Sequence, residues 1–465
     1  MRVFLPYSAG LCLGQLGTIP LPFFPKVYLS DVERAKHMYV LGITGKGKSK
    51  FVEGLILQDV LAGRGCGVID PHSDLVKNVF AHLVDRGFFD QPSSVERIVY
   101  LDISRDDAFL PFNVLAVPGD PYAIAQLVIE AFRRTWPDAL KEAPQFTNIM
   151  LAALVVLIKT GKTLVDVHRL LTDKNWREQL LIQANDEGTT SFFHERYDYW
   201  GREAPVMRES TLNKVSAFVF NPVLKRMLGH PDNALDFRQI MDGRQVLLCD
   251  LGGEPETRRL MGSLLVTFIE YAAFTRRDVP SSERVPFYLY MDEFQDFSAN
   301  DGSAKTLSQI LSEARKFGLH LTLAHQSLSQ LQERLSGAIG NIQTKVLFGM
   351  SRQDAEVFGR SIGYIDKRAV KETPKTQTQH PVFESLPEQW EGWTSGLQWQ
   401  LPRHAHAIDS QGKIFRFSTP PLPDPPINSS QVAEALKQIV SQRSPDVSLS
   451  RTSLSSSLDV PFVKP

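Results

Sequence analysis

Residues 37–50 read HMYVLGITGKGKSK. The first part is an apolar, β-rich run of strand length, and the second fits the phosphate-loop spacing G-x-x-x-x-G-K-[ST]. Gly42, Gly47, Lys48 and Ser49 stand in register, with Ile43, Thr44, Gly45 and Lys46 at the variable positions. Glycines let the backbone turn tightly enough for successive N–H groups to point at phosphate oxygens, and the following helix adds its positive end. In that register Lys48 reaches the β/γ-phosphates and Ser49 ligates Mg²⁺. The next stretch, KSKFVEGLILQDVLAG, carries helical periodicity and ends at a glycine. Strand, loop and helix therefore follow in the required order, which argues against a glycine-rich turn that binds nothing. Gly42, Thr44, Gly45, Lys46, Gly47, Lys48, Ser49 and Lys50 are the nucleotide-contacting candidates. Lys46 and Lys50 are the weakest of them, with solvent as the default expectation. Lys50 falls in the first helical turn, where a cation is disfavoured unless phosphate lies nearby.

The chain of 465 residues is long enough for two or three domains, and 43% hydrophobic with 22% charged residues is an ordinary globular composition. With 51 basic against 52 acidic residues no overall basicity advertises nucleic acid, although a ring needs only a local basic lining. Cys12, Cys66 and Cys249 are too scattered for a zinc motif and leave an odd count, which suits a reducing cytosol. The longest apolar runs, LAALVVLI and LMGSLLVTFIEYAAF, fall short of a bilayer span, and Glu270 interrupts the second. The first residues are broken by Pro6, Gly10, Gly14, Gly17, Pro20 and Pro22, which predicts an ordered arm or strand pair and not a targeting helix.

Two more α/β units are predicted from GCGVIDPHSDLV and ERIVYLDI, after which long helical stretches such as YAIAQLVIEAFRRTW and FTNIMLAALVVLIKTG take over. Strand texture returns at RQVLLCDLGG, PFYLYMDEF, LHLTLAHQ and TKVLFGMS. The expectation is an α/β fold with a mainly parallel sheet and an inserted all-α domain. Its divisions are an N-terminal arm over 1–30, core over 31–119, a helical insertion over 120–238, core over 239–420, and a Pro/Ser-rich tail over 421–465. The tail is expected to be disordered apart from a short helix in SQVAEALKQIV, and AHAIDSQGKIFRF reads as a hairpin.

Hydrolysis needs groups that organise Mg²⁺ and the attacking water, and FYLYMDEFQDF supplies them at a strand end. Asp292 is placed to hold Mg²⁺ through water and Glu293 to polarise the nucleophile, with Asp296 read as a surface or capping residue. In SEARKFGLHLTLAHQSLSQL, Gln326 ends a strand at the edge where ligands of parallel sheets gather, so it either contacts the γ-phosphate or caps the strand. Arg315 and Lys316 lie at a helix end, and on local grounds Arg315 is as well explained as a C-capping cation.

These segments, in this order and with a helical insertion after the early strands, resemble the conjugative coupling ATPases of type IV secretion (TraG/TraD-like), within the HerA/FtsK superfamily of ring-forming DNA translocases. The resemblance extends from about Asp31 to Pro420 and takes in VMRESTLNKVSAFVFNPVLKRMLG and GNIQTKVLFGMSRQDAEVFGRSIG. It implies a RecA-like P-loop core, ATP and Mg²⁺ as ligands, the roles above for Lys48, Ser49, Asp292 and Glu293, and Gln326 as γ-phosphate sensor. It further implies a homohexamer in which Arg315 serves the neighbour's nucleotide as a trans arginine finger. DPHSD at 70–74 matches the family's usual D-P-H-G-D with Ser73 replacing glycine. Three departures stand out: no N-terminal membrane helices are encoded in this sequence, Lys46 and Lys50 replace small hydroxyl residues, and the Ser/Pro tail replaces a recognisable partner domain.

The leading expectation is an ATP-driven translocase that grips DNA without sequence preference, cytoplasmic, with any attachment at the inner membrane made through a partner. A relaxase-type, secretion-channel or nuclease protein is the expected kind of partner. Basic and aromatic side chains in AFRRTW and KRML offer DNA contacts, with a solvated helix face as the favoured alternative. The competing functions are a nucleotide-switched assembly ATPase that does not pump DNA, and a translocase acting with a separate nuclease.

Overall fold

A computed structural model describes residues 10–17, 25–105, 109–140, 143–199, 204–297, 310–331, 333–366, 370–372, 382–426 and 428–443. In chain order its strands are β1 (Leu11–Leu16), β2 (Lys26–Leu29), β3 (Met38–Leu41), β4 (Gly65–Asp70), β5 (Ile98–Asp102), β6 (Val246–Asp250) and β7 (Phe287–Asp292). They continue with β8 (Leu319–His325), β9 (Thr344–Leu347), β10 (Val370–Glu372), β11 (Val382–Phe383), β12 (His404–Ile408) and β13 (Ile414–Ser418). The chain divides into two compact units, residues 1–63 with 286–424 and residues 64–285 with 425–465.

In the first unit the strand order is β2-β1-β13-β12-β9-β3-β8-β7. β9, β3, β8 and β7 run parallel. β12, β13, β1 and β2 extend the sheet by antiparallel pairing, and the predicted hairpin is β12–β13. Every residue of β3, β7 and β8 is buried, which is why these strands read as continuous apolar runs without alternation. The register brings Leu41 opposite both His325 and Leu347, so the chain leaves three parallel strands at one common edge. The arm expected at the N-terminus contributes the β1–β2 pair. The helix Lys48–Leu61 holds β1 through Gln58, whose side chain accepts from the Cys12 N–H at 2.9 Å and donates to the Cys12 carbonyl at 3.0 Å.

The same helix is fixed to β7 by a buried ion pair. Arg34 donates to both oxygens of Asp59, at 2.8 and 2.5 Å, and the Tyr290 hydroxyl donates to Asp59 at 2.7 Å. The guanidinium also lies 3.4 Å from the centre of the Tyr288 ring. A charged pair so far out of water is retained only because its lone pairs and protons are satisfied.

The second unit has three parallel strands in the order β4-β6-β5, each fully buried. Between β5 and β6 the chain is helical, with the long segments Pro121–Thr135, Pro144–Lys159, Lys174–Ala184 and Ala204–Val219. Helix Pro255–Thr275 packs on Pro121–Thr135, and Arg134 of AFRRTW is buried there, donating to Thr267 at 2.8 Å and pairing with Glu270 at 3.5 Å. Trp136 donates to Glu256 at 2.5 Å. Arg134 is therefore a core group and Trp136 a half-buried one, whereas Arg133 and Lys225 keep exposed side chains. In the tail, Ser429–Arg443 forms a helix that buries Ala435, Leu436 and Ile439 against helices Asp74–Asp85 and Pro92–Arg97 and strand β5. Arg443 closes it by donating to the Glu96 carbonyl at 2.9 Å. Residues 444–465 lie outside the described residues. No helix of the described residues is long and apolar enough to cross a membrane.

Candidate nucleotide site

Strand β3 ends at Leu41, the loop runs from Gly42 to Gly47, and the helix starts at Lys48. Two glycines are required by the geometry. A Cβ on Gly42 would fall 2.6 Å from the Phe348 Cβ, and Gly47, the helix N-cap, has φ of 99° and lies against the Arg403 backbone. The loop hangs from the neighbouring strand ends, with the Ile43 N–H donating to the Gly349 carbonyl at 3.0 Å and the Gly42 N–H to the His325 carbonyl at 3.3 Å.

Four predicted residues meet at the end of β7. Lys48 Nζ lies 2.5 Å from Glu293 Oε1 and 3.3 Å from Asp292 Oδ1. Gln326, leaving β8 at the same edge, donates to Glu293 Oε1 at 3.0 Å, and Gln295 donates to Oε2 at 2.8 Å. The Thr44 hydroxyl donates to Gln326 Oε1 at 3.3 Å, which links the phosphate loop to the same group. Glu293 has φ of 42°, left-handed for a residue with a side chain, at the turn that aims its carboxylate back over the sheet edge.

The two acids differ electrically. Burial pushes the Asp292 carboxyl above its ordinary range, and neighbouring Glu293 adds to this against the opposing pull of Lys48. Burial acts in the same direction on Glu293, but Lys48 and the amides of Gln295 and Gln326 outweigh it and hold the carboxyl below its ordinary range. Glu293 is thus kept ionised, as a group that polarises water must be.

The remaining predicted residues divide. Ser49 is exposed in the first turn of the helix. Lys46 does not face solvent: its ammonium donates to the Gln400 carbonyl at 2.9 Å, and its own carbonyl accepts from the Arg403 N–H at 2.9 Å. Lys50 pairs with Glu53 at 2.9 Å and Asp424 at 2.8 Å, so the helix-start cation predicted to be unfavourable is held by acids. Asp296 is half-buried.

Arg315 is exposed in the turn Ala314–Phe317 that leads into β8, whereas Gln326 follows β8. Seven extended residues separate the two ends, about 20 Å at 3.3 Å per residue. Arg315 therefore stands at the opposite edge of the sheet from Lys48 and Glu293.

The fit to a magnesium nucleotide is good. A left-handed glycine opens the cradle, a buried ammonium rests on two buried acids, and a hydroxyl stands exposed one residue on. No group of three or more His, Cys, Asp or Glu among the described residues is placed to hold a metal unaided. The ion would depend on Ser49, Asp292 and phosphate oxygens, the ligand set expected of Mg²⁺.

In the second unit the DPHSD segment has a partner that sequence reading missed. β4, β6 and β5 all end in aspartate, and Asp70, Asp250 and Asp102 stand in register. Ser73 Oγ donates to Asp250 at 2.5 Å, and Asp70 accepts from the N–H groups of His72 and Val76 at 2.9 and 3.1 Å. Ser73 has φ of 74°, a left-handed conformation that glycine adopts without cost, at the place where the motif resemblance leads one to expect glycine.

Residues 286–398 match the family model described as the TraM recognition site of TraD and TraG. Over that segment the chain is similar to TraD and TraG. Among solved structures, the unbound bacterial conjugative coupling protein TrwBdeltaN70 aligns at 16% identity over 88% of this chain and 96% of that one, with a TM-score of 0.62. Plasmid coupling protein TrwB in complex with ADP and Mg²⁺ aligns at 16% identity over 87% and 89%, with a TM-score of 0.60. VirB4 of Thermoanaerobacter pseudethanolicus aligns at 13% identity over 90% and 98%, with a TM-score of 0.57. No curated protein matches the chain. The resemblance drawn from the motifs and the RecA-like P-loop fold that it implied are both met by these findings.

Proposed function

We propose that this coupling-protein-like chain binds and hydrolyses ATP with Mg²⁺ and, as a ring of identical subunits, moves or recruits DNA. The observation that carries the reading is the convergence of Lys48 and Gln326 on Glu293, at 2.5 and 3.0 Å. The convergence joins a phosphate-binding cation, an ionised carboxylate and a polar sensor at the carboxyl edge of a parallel sheet. Lys48 leaves the acids to bind β/γ-phosphate oxygens, Glu293 is then free to orient the attacking water, and Gln326 connects that water to Thr44 of the loop. Ser49, and Asp292 through water, would hold Mg²⁺, which would supply neutralisation of phosphate charge. The complex of TrwB with ADP and Mg²⁺ supports these ligands.

Arg315 stands too far along β8 to serve the nucleotide of its own subunit, which supports its use in trans and with it a ring. DNA is the cargo the resemblance favours, gripped through its phosphate backbone. The match to the TraM recognition site of TraD and TraG supports a protein partner at residues 286–398.

The test is the steady-state ATPase rate across protein concentration, without DNA, with single-stranded DNA and with double-stranded DNA, using Lys48→Ala as the blank. A rate that rises cooperatively with protein and is stimulated by DNA is expected. Turnover indifferent to DNA would replace this reading with a nucleotide-switched assembly ATPase.

A further inference from the structure

A cavity of about 440 Å³ opens in the first unit beside helix Leu386–Gln398, lined by residues that include Tyr364, Asp366, Glu384, Glu388, Trp393 and Arg416. Two of its walls are aromatic. The Tyr364 and Trp393 rings meet edge to face at 6.2 Å, and the Trp393 N–H donates to the Tyr364 carbonyl at 3.1 Å, which holds the indole in place. Tyr364 is 70% exposed, so its ring is open to a visitor. Asp366, Glu384 and Glu388 set three acids against the one cation of Arg416 among the described lining residues. Aromatic faces beside carboxylates attract a guanidinium or an ammonium and repel phosphate. The cavity therefore suits a basic polypeptide and not nucleic acid.

Behind the cavity, a chain of hydrogen bonds runs to the phosphate loop. Arg416 Nε donates to His406 Nε2 at 2.8 Å, so the imidazole carries its proton on Nδ1 and donates it to Gln400 Oε1 at 3.0 Å. Gln400 Nε2 donates to the Leu347 carbonyl at 3.1 Å, which settles the orientation of the amide, and the Gln400 main-chain carbonyl accepts from Lys46 at 2.9 Å. These four residues meet because β9 pairs with both β3 and β12, and β12 with β13. His406 and Gln400 are buried, while the ends of the chain are half-buried Lys46 in the phosphate loop and exposed Arg416 in the cavity. The Trp393 ring also lies 6.5 Å from His406. Bonds in such a buried chain polarise one another, so a change at one end is felt at the other.

We propose that this cavity binds an arginine or lysine side chain presented by a basic segment of a protein partner, and that its occupancy weakens nucleotide binding through Arg416, His406, Gln400 and Lys46. The proposal rests on the nucleotide-binding part of the reading above, and gives the partner of residues 286–398 a chemistry and an effect. A cation seated on the carboxylates repels Arg416 and presses it onto His406. The chain is then firm, and Lys46 stays on the Gln400 carbonyl instead of turning to a phosphate. Nucleotide in the loop draws Lys46 away and slackens the same chain. The two ligands therefore oppose each other, by an equal factor in each direction.

The experiment uses the full chain and a labelled oligo-arginine peptide, with oligo-glutamate as the control for charge. Oligo-arginine is expected to bind, with an affinity about fivefold or more lower in Tyr364→Ala and in Glu384→Gln with Glu388→Gln. Saturating oligo-arginine should weaken binding of a fluorescent ADP analogue by about fivefold or more in the wild type. His406→Phe keeps a ring but breaks both of its hydrogen bonds, and it should bind each ligand alone without the opposition between them. Gln400→Ala cuts the chain at a second place and should do the same.

Equal binding of oligo-arginine to the wild type and to the cavity variants overturns the proposal, because the peptide then docks on another surface. Oligo-arginine bound at the cavity with unchanged affinity for the ADP analogue overturns it too, as does opposition that persists in both His406→Phe and Gln400→Ala. Each of these results leaves the ATPase reading standing wherever turnover without peptide still depends on Lys48. Turnover that does not depend on Lys48 overturns that reading by itself, since peptide and ADP binding are measured apart from hydrolysis.

Discussion

Lys48 has two carboxylates for partners before any nucleotide arrives, and removing its charge has two separable effects. Lys48→Ala is expected to abolish phosphate binding and to leave Asp292 and Glu293 as adjacent buried acids without a cation. Glu293→Gln keeps the hydrogen bonds from Gln295 and Gln326 in reach while removing the charge, so it should hold ATP with hydrolysis reduced about a hundredfold or more. Filter binding of labelled ATP alongside a phosphate-release assay separates the two variants. Ser73 offers a test of a different kind. Ser73→Ala loses a hydrogen bond to buried Asp250 worth about 1.5–3 kcal/mol and keeps the left-handed backbone. Ser73→Gly loses the same bond but relieves a conformational cost of about 1–2 kcal/mol, so its urea midpoint should lie above that of the alanine variant. The reverse order would show that the left-handed conformation at this position carries no cost for glycine to relieve.

At the scale of elements, the sheet edge depends on how helix Lys48–Leu61 is fastened to β7. Arg34, Asp59 and Tyr290 form that joint, and Asp59→Asn leaves a guanidinium uncompensated in the interior at a cost of about 3–5 kcal/mol. Replacing both charges, Arg34→Met with Asp59→Leu, should cost less than either single change, as a double-mutant denaturation cycle would measure. Nothing in the sequence announced this joint. Asp59 is one acid in an apolar helix, and its partners lie 25 and 231 positions away. The phosphate loop was legible because its chemistry is local: glycine spacing, a lysine and a hydroxyl within eight residues. Gln326 and Glu293 were legible as strand ends for the same reason. The aspartate row of β4, β6 and β5 was hidden because strand pairing between Asp70 and Asp250 is a long-range fact. Lys46 and Lys50 were assigned to solvent because Gln400 and Asp424 arrive from the far end of the chain.

Across the molecule, three buried imidazoles make stability depend on mild acid. Burial pushes His37, His325 and His406 down to about 4 from an ordinary 6.5, with Arg315 adding to the effect on the first and Arg416 on the last. Between those two pH values the unfolded chain binds protons at these positions that the folded chain excludes. Their contribution is therefore complete above about pH 6.5 and is lost as pH falls toward 4, with a combined slope of up to about 4 kcal/mol per pH unit. Thermal denaturation from pH 7.5 to 5 should show a falling midpoint, and His406→Gln should flatten the fall. A midpoint insensitive to pH in that window would mean these rings are not neutral in the folded state.

The tether from Lys46 to the Gln400 carbonyl ends beside Trp399, an indole 71% exposed on the surface. A phosphate group that draws Lys46 inward pulls on the peptide next to that ring and changes its surroundings. Among the six tryptophans of the chain, Trp399 is then a built-in optical reporter, and loading of the loop can be followed by intrinsic emission without a dye.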